Sequence, residues 1–461
     1  MRRLSIAAAL FLVSCSLGNP QRDSCQNGAE CRAVFGAGFY CDGASGLCES
    51  AISPLCPELF PADAHDDAQA ILFGTIFDRS SANQLAREKA ARLAVNVLNE
   101  RSGIDGRRVA LLNCDTSVGP AIEAGDYLVE VGVPAIIGPS SSSDVEAVFA
   151  SHRDDDVLVI SPSATATQLG GIDSRMPGRL WRTAPPDVLQ AAVIMTHLAM
   201  TPDLELSIVA RQNDTYAQSL SVLLQREAMR RSATVVATPQ FADTGQIATA
   251  ATEALGGGTP DVVIFISSQV ADAAAFLDTV ASNSDYDIVE LFLTDAAAND
   301  DLFTLTGAGV ARFDAVTATR PSAPDTIVTN EFVGSYRAAN GGEDPLQFSF
   351  TAHTYDATAL VLLGAGFSLG DRGEVTADGI ALGITHMSVP GMPRSILGSE
   401  FLGIIESLRT SPGVDVLGAS GPLDYDPVSE ELTIASYDIL TIAGDGRSFV
   451  VDATVIPPPP P

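Results

Sequence analysis

The sequence predicts an α/β protein of two doubly wound parallel-sheet lobes, on three observations. From Ala70 to Ile160, short apolar and β-branched runs alternate with stretches of helical period. Such alternation implies a parallel sheet with right-handed crossovers. The pattern restarts after Arg179–Asp187 (R-L-W-R-T-A-P-P-D), which gives a second sheet of the same kind. Twice in the first half a buried-strand run, Ala135–Ile137 and then Val157–Ile160, breaks at a proline into small hydroxyl residues, Ser140–Ser143 and Ser161–Thr167. Side-chain oxygens of that kind satisfy the orphan N–H groups of a helix start. A strand feeding straight into a helix N-terminus makes an anion site. Neighbouring sites at the carboxyl ends of parallel strands are where an open α/β sheet binds its ligand. A small carboxylate such as an amino acid suits them.

At the chain start, Arg2 and Arg3 precede the apolar run Leu4–Val13, which is too short to span a bilayer. Residues 1–14 therefore read as an export signal. Leu12-Val13-Ser14-Cys15 resembles the lipobox of bacterial lipoproteins, in which the cysteine becomes the lipid-bearing N-terminus; an ordinary cleaved signal is the alternative. Without Cys15 six cysteines remain, an even number in an exported chain, which favours disulfides over metal. Cys25, Cys31, Cys41 and Cys48 sit in a Gly- and Asn-rich segment too small for a core of its own, so residues 15–56 are expected to form a lipid-anchored module needing about two bridges. No C-x-x-C pair and no nearby histidine supports zinc there. Cys56 and Cys114 are left over, and their pairing would bridge the module's end to the main body.

Composition excludes several functions. A formal charge of −31 argues against nucleic acid, whose phosphates are bound through Lys and Arg. Lys89 is the only lysine, which removes P-loop chemistry and disfavours Schiff-base catalysis. Neither G-x-S-x-G nor H-E-x-x-H occurs, and the five histidines are scattered. Gly364–Gly370 only half resembles a dinucleotide fingerprint and follows a helix, while Asp424 and Asp426 lack the rest of a calcium loop. No enzyme activity, cofactor or metal is expected.

Taken in order, Ala70–Phe77 reads as a buried strand, and Asp78–Ser81 caps a helix over Ala82–Arg101 with Leu85, Ala91, Val95 and Leu98 on one face. Arg108–Asn113 is the second strand, Ala121–Val131 the second helix and Asp144–Ala150 the third. Beyond Asp187 come helix Val188–Ala199, strand Leu206–Ala210, helix Tyr216–Arg231, strand Thr234–Thr238, helix Gly245–Leu255, strand Val262–Ile266, helix Val270–Ala281 and strand Val289–Leu293. The tail returns to helices over Ile327–Ala339, Ala352–Gly364, Ala377–Ile384 and Glu400–Arg409. It ends in a strand pair, Leu432–Leu440 and Phe449–Val455, and a proline tail at residues 456–461.

From Ala70 to Val455 the chain resembles a type I periplasmic binding protein, more narrowly the leucine/isoleucine/valine-binding branch that serves ABC importers. The likeness rests on N-V-L-N-E-R-S-G-I-D-G-R-R-V, A-I-I-G-P-S-S-S-S, V-I-S-P-S-A-T, L-W-R-T-A-P-P-D, the D-T-Y-A step at Asp214–Ala217, T-Y-D-A at Thr354–Ala357 and G-P-L-D-Y-D at Gly421–Asp426, in that order and spacing. It implies a three-strand hinge, with one lobe from residues 67–186 plus 320–417 and the other from 187–319 plus 418–455. Closure would occur by hinge bending. It also implies roles for single residues. Ser142, with its helix N-terminus, takes the ligand α-carboxylate; Ser163 and Thr165 grip the ligand by backbone and hydroxyl; Tyr216 closes over it; and Asp295 anchors the α-ammonium.

Two positions depart from the family pattern. Ser267-Ser268 stands where a second aromatic is common, and Phe77-Asp78-Arg79 where small residues are common. A more polar pocket suits a polar amino acid, an amide or another small carboxylate. The expected function is a lipid-anchored solute-binding protein, on the periplasmic side of the inner or outer membrane, that delivers an amino-acid-like ligand to an ABC permease of the branched-chain class. The alternative is a sensory or scaffold lipoprotein of the envelope whose cysteine module docks to another protein.

Overall fold

The computed structural model describes residues 24–397 and 400–457; the signal segment, Cys15 and most of the proline tail lie outside them. A small module comes first, with helix α1 (Gly28–Phe35) and the hairpin β1 (Phe39–Asp42) and β2 (Leu47–Ser50). Cys25 bonds Cys41 and Cys31 bonds Cys48, so the segment before the hairpin is tied to both of its strands. Cys56 bonds Cys114 of the main body across 58 residues of chain.

The first sheet contains β3 (Glu58–Phe60), β4 (Ile71–Phe77), β5 (Val109–Asp115), β6 (Ala135–Ile137), β7 (Leu158–Ser161) and β8 (Leu180–Arg182), in the order β3-β5-β4-β6-β7-β8. All residues of β4 are buried, as a central strand covered on both faces requires. Helix α2 (Ala82–Asn99) lies on one face; α3 (Ala121–Val131) and α4 (Ser142–Ser151) lie on the other. The second sheet begins after α5 (Asp187–Leu198) with β9 (Glu205–Arg211), α6 (Thr215–Arg230), β10 (Thr234–Ala237), β11 (Gln240–Phe241), α7 (Ile247–Ala254), β12 (Val262–Ile266), α8 (Val270–Val280), β13 (Glu290–Leu293), α9 (Asp301–Leu305) and β14 (Val316–Pro321).

From β14 the chain returns to the first lobe. There α10 (Ile327–Ala339), α11 (Thr351–Arg372), α12 (Ala377–Thr385) and α13 (Phe401–Thr410) add Phe332, Tyr355, Leu360, Ile380 and Ile404 to the core around Phe73 and Leu98. The short parallel pair β15 (Arg394–Ser395) and β16 (Val416–Leu417) brackets α13. Last come β17 (Tyr437–Ile442) and β18 (Phe449–Val455), which extend the second sheet antiparallel from β14.

Three features differ from the sequence expectation. Both sheets are mixed, because β3 enters antiparallel from the module and β17–β18 close the other sheet antiparallel. The third crossing falls after Leu432 instead of at Gly418, since Ala419, Leu423, Tyr425 and Leu432 belong to the first core. The buried Asp356 carboxylate holds that segment, accepting from the N–H groups of Ala419 and Ser420 at 2.7 Å each. For the same reason the tail strand is Tyr437–Ile442, not Leu432–Leu440.

Paired replacement of Cys56 and Cys114 by alanine should lower the unfolding free energy by about 2–4 kcal/mol, read from urea denaturation. An unchanged midpoint would mean that the packing of β3 on β5 alone fixes the module's end.

Candidate ligand-binding cleft

Between the lobes lies a cavity of about 380 Å³. Ser142, Ser163, Thr165, Tyr216 and Asp295 all line it. A larger hollow of about 620 Å³, beside Trp181 and the Arg182–Glu431 ion pair, holds none of these five.

The first-lobe wall is stitched from the two hydroxyl clusters. Ser141 is the N-cap of α4, its Oγ accepting from Asp144 N at 3.1 Å, which leaves the first-turn N–H of Ser142 with no acceptor inside the helix. Ser142 Oγ accepts from Ala166 N at 3.2 Å, and Ser163 Oγ donates to the Ser140 carbonyl at 2.8 Å. These two hydroxyls therefore brace the wall, and what they leave for a ligand is mainly backbone. Of Phe77-Asp78-Arg79, Asp78 alone faces the cleft; Arg79 turns away to Glu58 at 2.7 Å and Glu88 at 3.2 Å.

The second-lobe wall is built on Asp295, which follows β13 and is buried. Its Oδ1 accepts from the Tyr216 hydroxyl and from Gln190 Nε2 at 3.2 Å. Burial raises its pKa, and the two hydrogen bonds pull the other way. Tyr216 sits in the first turn of α6, which Asp214 caps; the second oxygen of Asp214 accepts from Ser268 N at 2.7 Å, bringing that residue to the cleft. Ser267 points into the lobe, donating to Asp272 at 2.7 Å.

The lobes touch directly at the cleft mouth. Ser81 Oγ donates to Asp301 at 2.9 Å, Thr215 N to Ser143 Oγ at 3.0 Å and Thr215 Oγ1 to Glu146 at 2.9 Å. Glu146, which reads in sequence as a solvated charge, thus joins the two lobes. Trp181 packs edge-on against Tyr425, in the core.

Sequence reasoning missed Arg87 and Asp187. Arg87 lines the cleft from α2, one turn beyond Asn83 on the same face. The segments that bury it, Ser349 and Phe350, are far off in sequence, so nothing local marks it. Asp187 opens α5, its N–H donating to the Thr165 carbonyl at 2.8 Å. Its carboxylate is fully buried, facing the hydroxyls of Thr165 and Ser219 without a well-formed hydrogen bond. Burial, with the Asp295 charge adding to it, pushes its pKa up to about 7.

A folded-state pKa above the unfolded value means the folded chain holds an extra proton between the two. Stability then falls as pH rises from about 4 to about 7. In the unliganded protein, Asp187→Asn should shrink that fall by on the order of 2–4 kcal/mol, measured by denaturation across the pH range. A pH profile identical to wild type would show that Asp187 is not the group responsible.

A family profile described as periplasmic binding protein matches residues 71–400, well over half of the chain. The chain is 25% identical over 397 residues to the chemotactic signal transduction system substrate-binding protein BasB of Halobacterium salinarum, covering 82% of this chain and 88% of that one. It is 30% identical over 81 residues to the Leu/Ile/Val-binding protein of Escherichia coli, covering 17% and 22%. Among solved structures it superposes on the branched-chain amino acid transporter substrate-binding protein LivJ of Streptococcus pneumoniae, in complex with isoleucine, with a TM-score of 0.64 at 19% identity, covering 84% of this chain and 99% of that one. A solute-binding protein of R. palustris in complex with benzoate gives 0.62 at 16%, covering 84% and 97%. These likenesses establish the type I fold of two α/β lobes with mixed sheets. The profile match decides the family, one of binding proteins rather than enzymes: this chain belongs to the periplasmic binding protein family.

Proposed function

We propose that this protein captures a small amino-acid-like solute between its lobes and delivers it to an ABC importer of the branched-chain class. The observation that carries the reading is the pairing of opposite polarities across one cleft. A helix N-terminus at Ser142 faces it from one lobe and a buried carboxylate, Asp295, from the other. The first suits a carboxylate and the second an ammonium, and the two together suit an amino acid. Thr165, whose hydroxyl both donates and accepts, stands at the same cleft. The relatives named for leucine, isoleucine and valine binding support the class, and the relative named for chemotactic signalling keeps a sensory role as the second reading.

Thermal unfolding of the protein against a panel of amino acids and small carboxylates tests this directly. A ligand at about a hundred times its Kd should add about 2.7 kcal/mol and raise the midpoint. That shift should vanish in Asp295→Ala and shrink in Tyr216→Phe; no shift with any compound would sink the solute-capture reading.

Residues 1–14 with Cys15 support lipid anchoring on the periplasmic side of the envelope. Cys15→Ser should move the protein from the membrane pellet to the soluble periplasmic fraction. Retention in the membrane would rule out anchoring through that thiol.

A further inference from the structure

Arg87 is a buried charge with no carboxylate in direct contact among the described residues; Asp295 and Asp301 act on it only from across the cleft. It is 6% exposed, and among the described residues its guanidinium is held by neutral partners alone. Nε donates to the Ser349 carbonyl at 2.9 Å, Nη1 donates to Ser163 Oγ at 2.9 Å, and the group lies over the Phe350 ring, 5.1 Å from its centroid. Burial draws its pKa down to about 10, so it stays protonated at neutral pH. The other arginines buried to this degree do meet a carboxylate: Arg182 has Glu431 at 2.6 Å and Arg312 has Asp287 at 3.3 Å. An unpaired cation is costly in such a place unless something else supplies the negative charge.

The seat under this group is built at a conformational cost. Phe350 adopts φ 64° and ψ 15°, a left-handed conformation that a bulky residue avoids. That backbone accompanies the placing of its ring beneath the guanidinium and of the Ser349 carbonyl at Nε. Strain of this kind persists where the surroundings hold it for a purpose. Beside Arg87, Asn83 lines the cleft with its side-chain oxygen buried and unpartnered. Ser163 Oγ stands between Arg87 and the Ser140 carbonyl, so the guanidinium lies next to the α4 N-terminus and not on it.

The acids of the cleft have partners already. Asp78 accepts from Ser80 at 2.9 Å, Asp144 from Ser141 at 2.7 Å, Asp301 from Ser81 at 2.9 Å and Asp295 from Tyr216. We propose that Arg87 receives a second, side-chain carboxylate of the ligand, so that the cleft takes an acidic amino acid. The inference rests on the amino-acid reading above and narrows it. The α-carboxylate meets the Ser142 N–H, the ammonium meets Asp295, and the side-chain carboxylate meets Arg87. A neutral amino acid would leave the guanidinium buried with no carboxylate in direct contact.

Calorimetric titration of the protein with L-glutamate, L-aspartate, L-glutamine and L-leucine decides it. Glutamine matches glutamate in shape, so their ratio reads the charge alone. An acidic amino acid should bind about 10- to 100-fold more tightly than its amide. Arg87→Met should remove that preference, bringing the affinities for L-glutamate and L-glutamine to within about threefold of each other. Should that variant not fold, Arg87→Lys keeps the charge without the fork, and the wild-type ratio stands as evidence on its own. Wild-type protein that binds L-leucine or L-glutamine as tightly as the acids would overturn the role of Arg87 while leaving amino-acid capture intact. Binding of none of the four would count against both.

Discussion

A charge taken out of water must be compensated by something, and in this protein that requirement is concentrated in one cleft. Arg87 lines it from the first lobe and Asp295 from the second; Asp187, on the helix that opens just after the first crossing, is buried near enough for the Asp295 charge to act on it. All are buried, and none forms an ion pair with another among the described residues. Neutral groups hold two of them in position: Ser163, Ser349 and Phe350 for Arg87; Tyr216 and Gln190 for Asp295. The charges are thereby kept apart and oriented, which is the condition for binding a ligand that carries both signs.

The fold exists to deliver those groups to one place. Parallel strands end at the same edge of each sheet, so the turns after β6, β7 and β13 all open toward the cleft. Three crossings join the lobes, and the direct hydrogen bonds at the mouth from Ser81, Thr215 and Glu146 involve exposed or half-buried groups. Such bonds are individually weak. The rigid parts lie elsewhere, in the α2–α11–α12 core and in the Asp356 anchor that holds residues 419 and 420 to the first lobe.

Much of this was legible in the chain. Strand runs and helical periods survive any packing environment, because they record which face of each element is apolar; β4, α3 and β12 fall within a residue or so of where the sequence puts them. Ser142, Thr165, Tyr216 and Asp295 came from the resemblance to a known family, carried over one residue at a time, and all four line the cleft. Hidden were the features that depend on which distant segments meet. The crossing after Leu432 depends on Asp356, more than sixty residues earlier, and nothing local marks it. The hydroxyls of Ser142 and Ser163 looked available in sequence and turn out to be spent on Ala166 N and the Ser140 carbonyl.

The sequence by itself determined the class of fold, the acidic, lysine-poor composition and the hydroxyl-rich strand ends. These follow from local chemistry: propensity, periodicity and charge are properties of neighbouring residues. Only the tertiary structure decided that Arg87, an unremarkable position within a charged helix segment, is buried against Phe350 with no carboxylate in direct contact, and that Asp187 faces Thr165 and Ser219 in a dry interior. Burial and the identity of a partner are set by segments hundreds of residues apart, and the ionisation of a buried group depends on both.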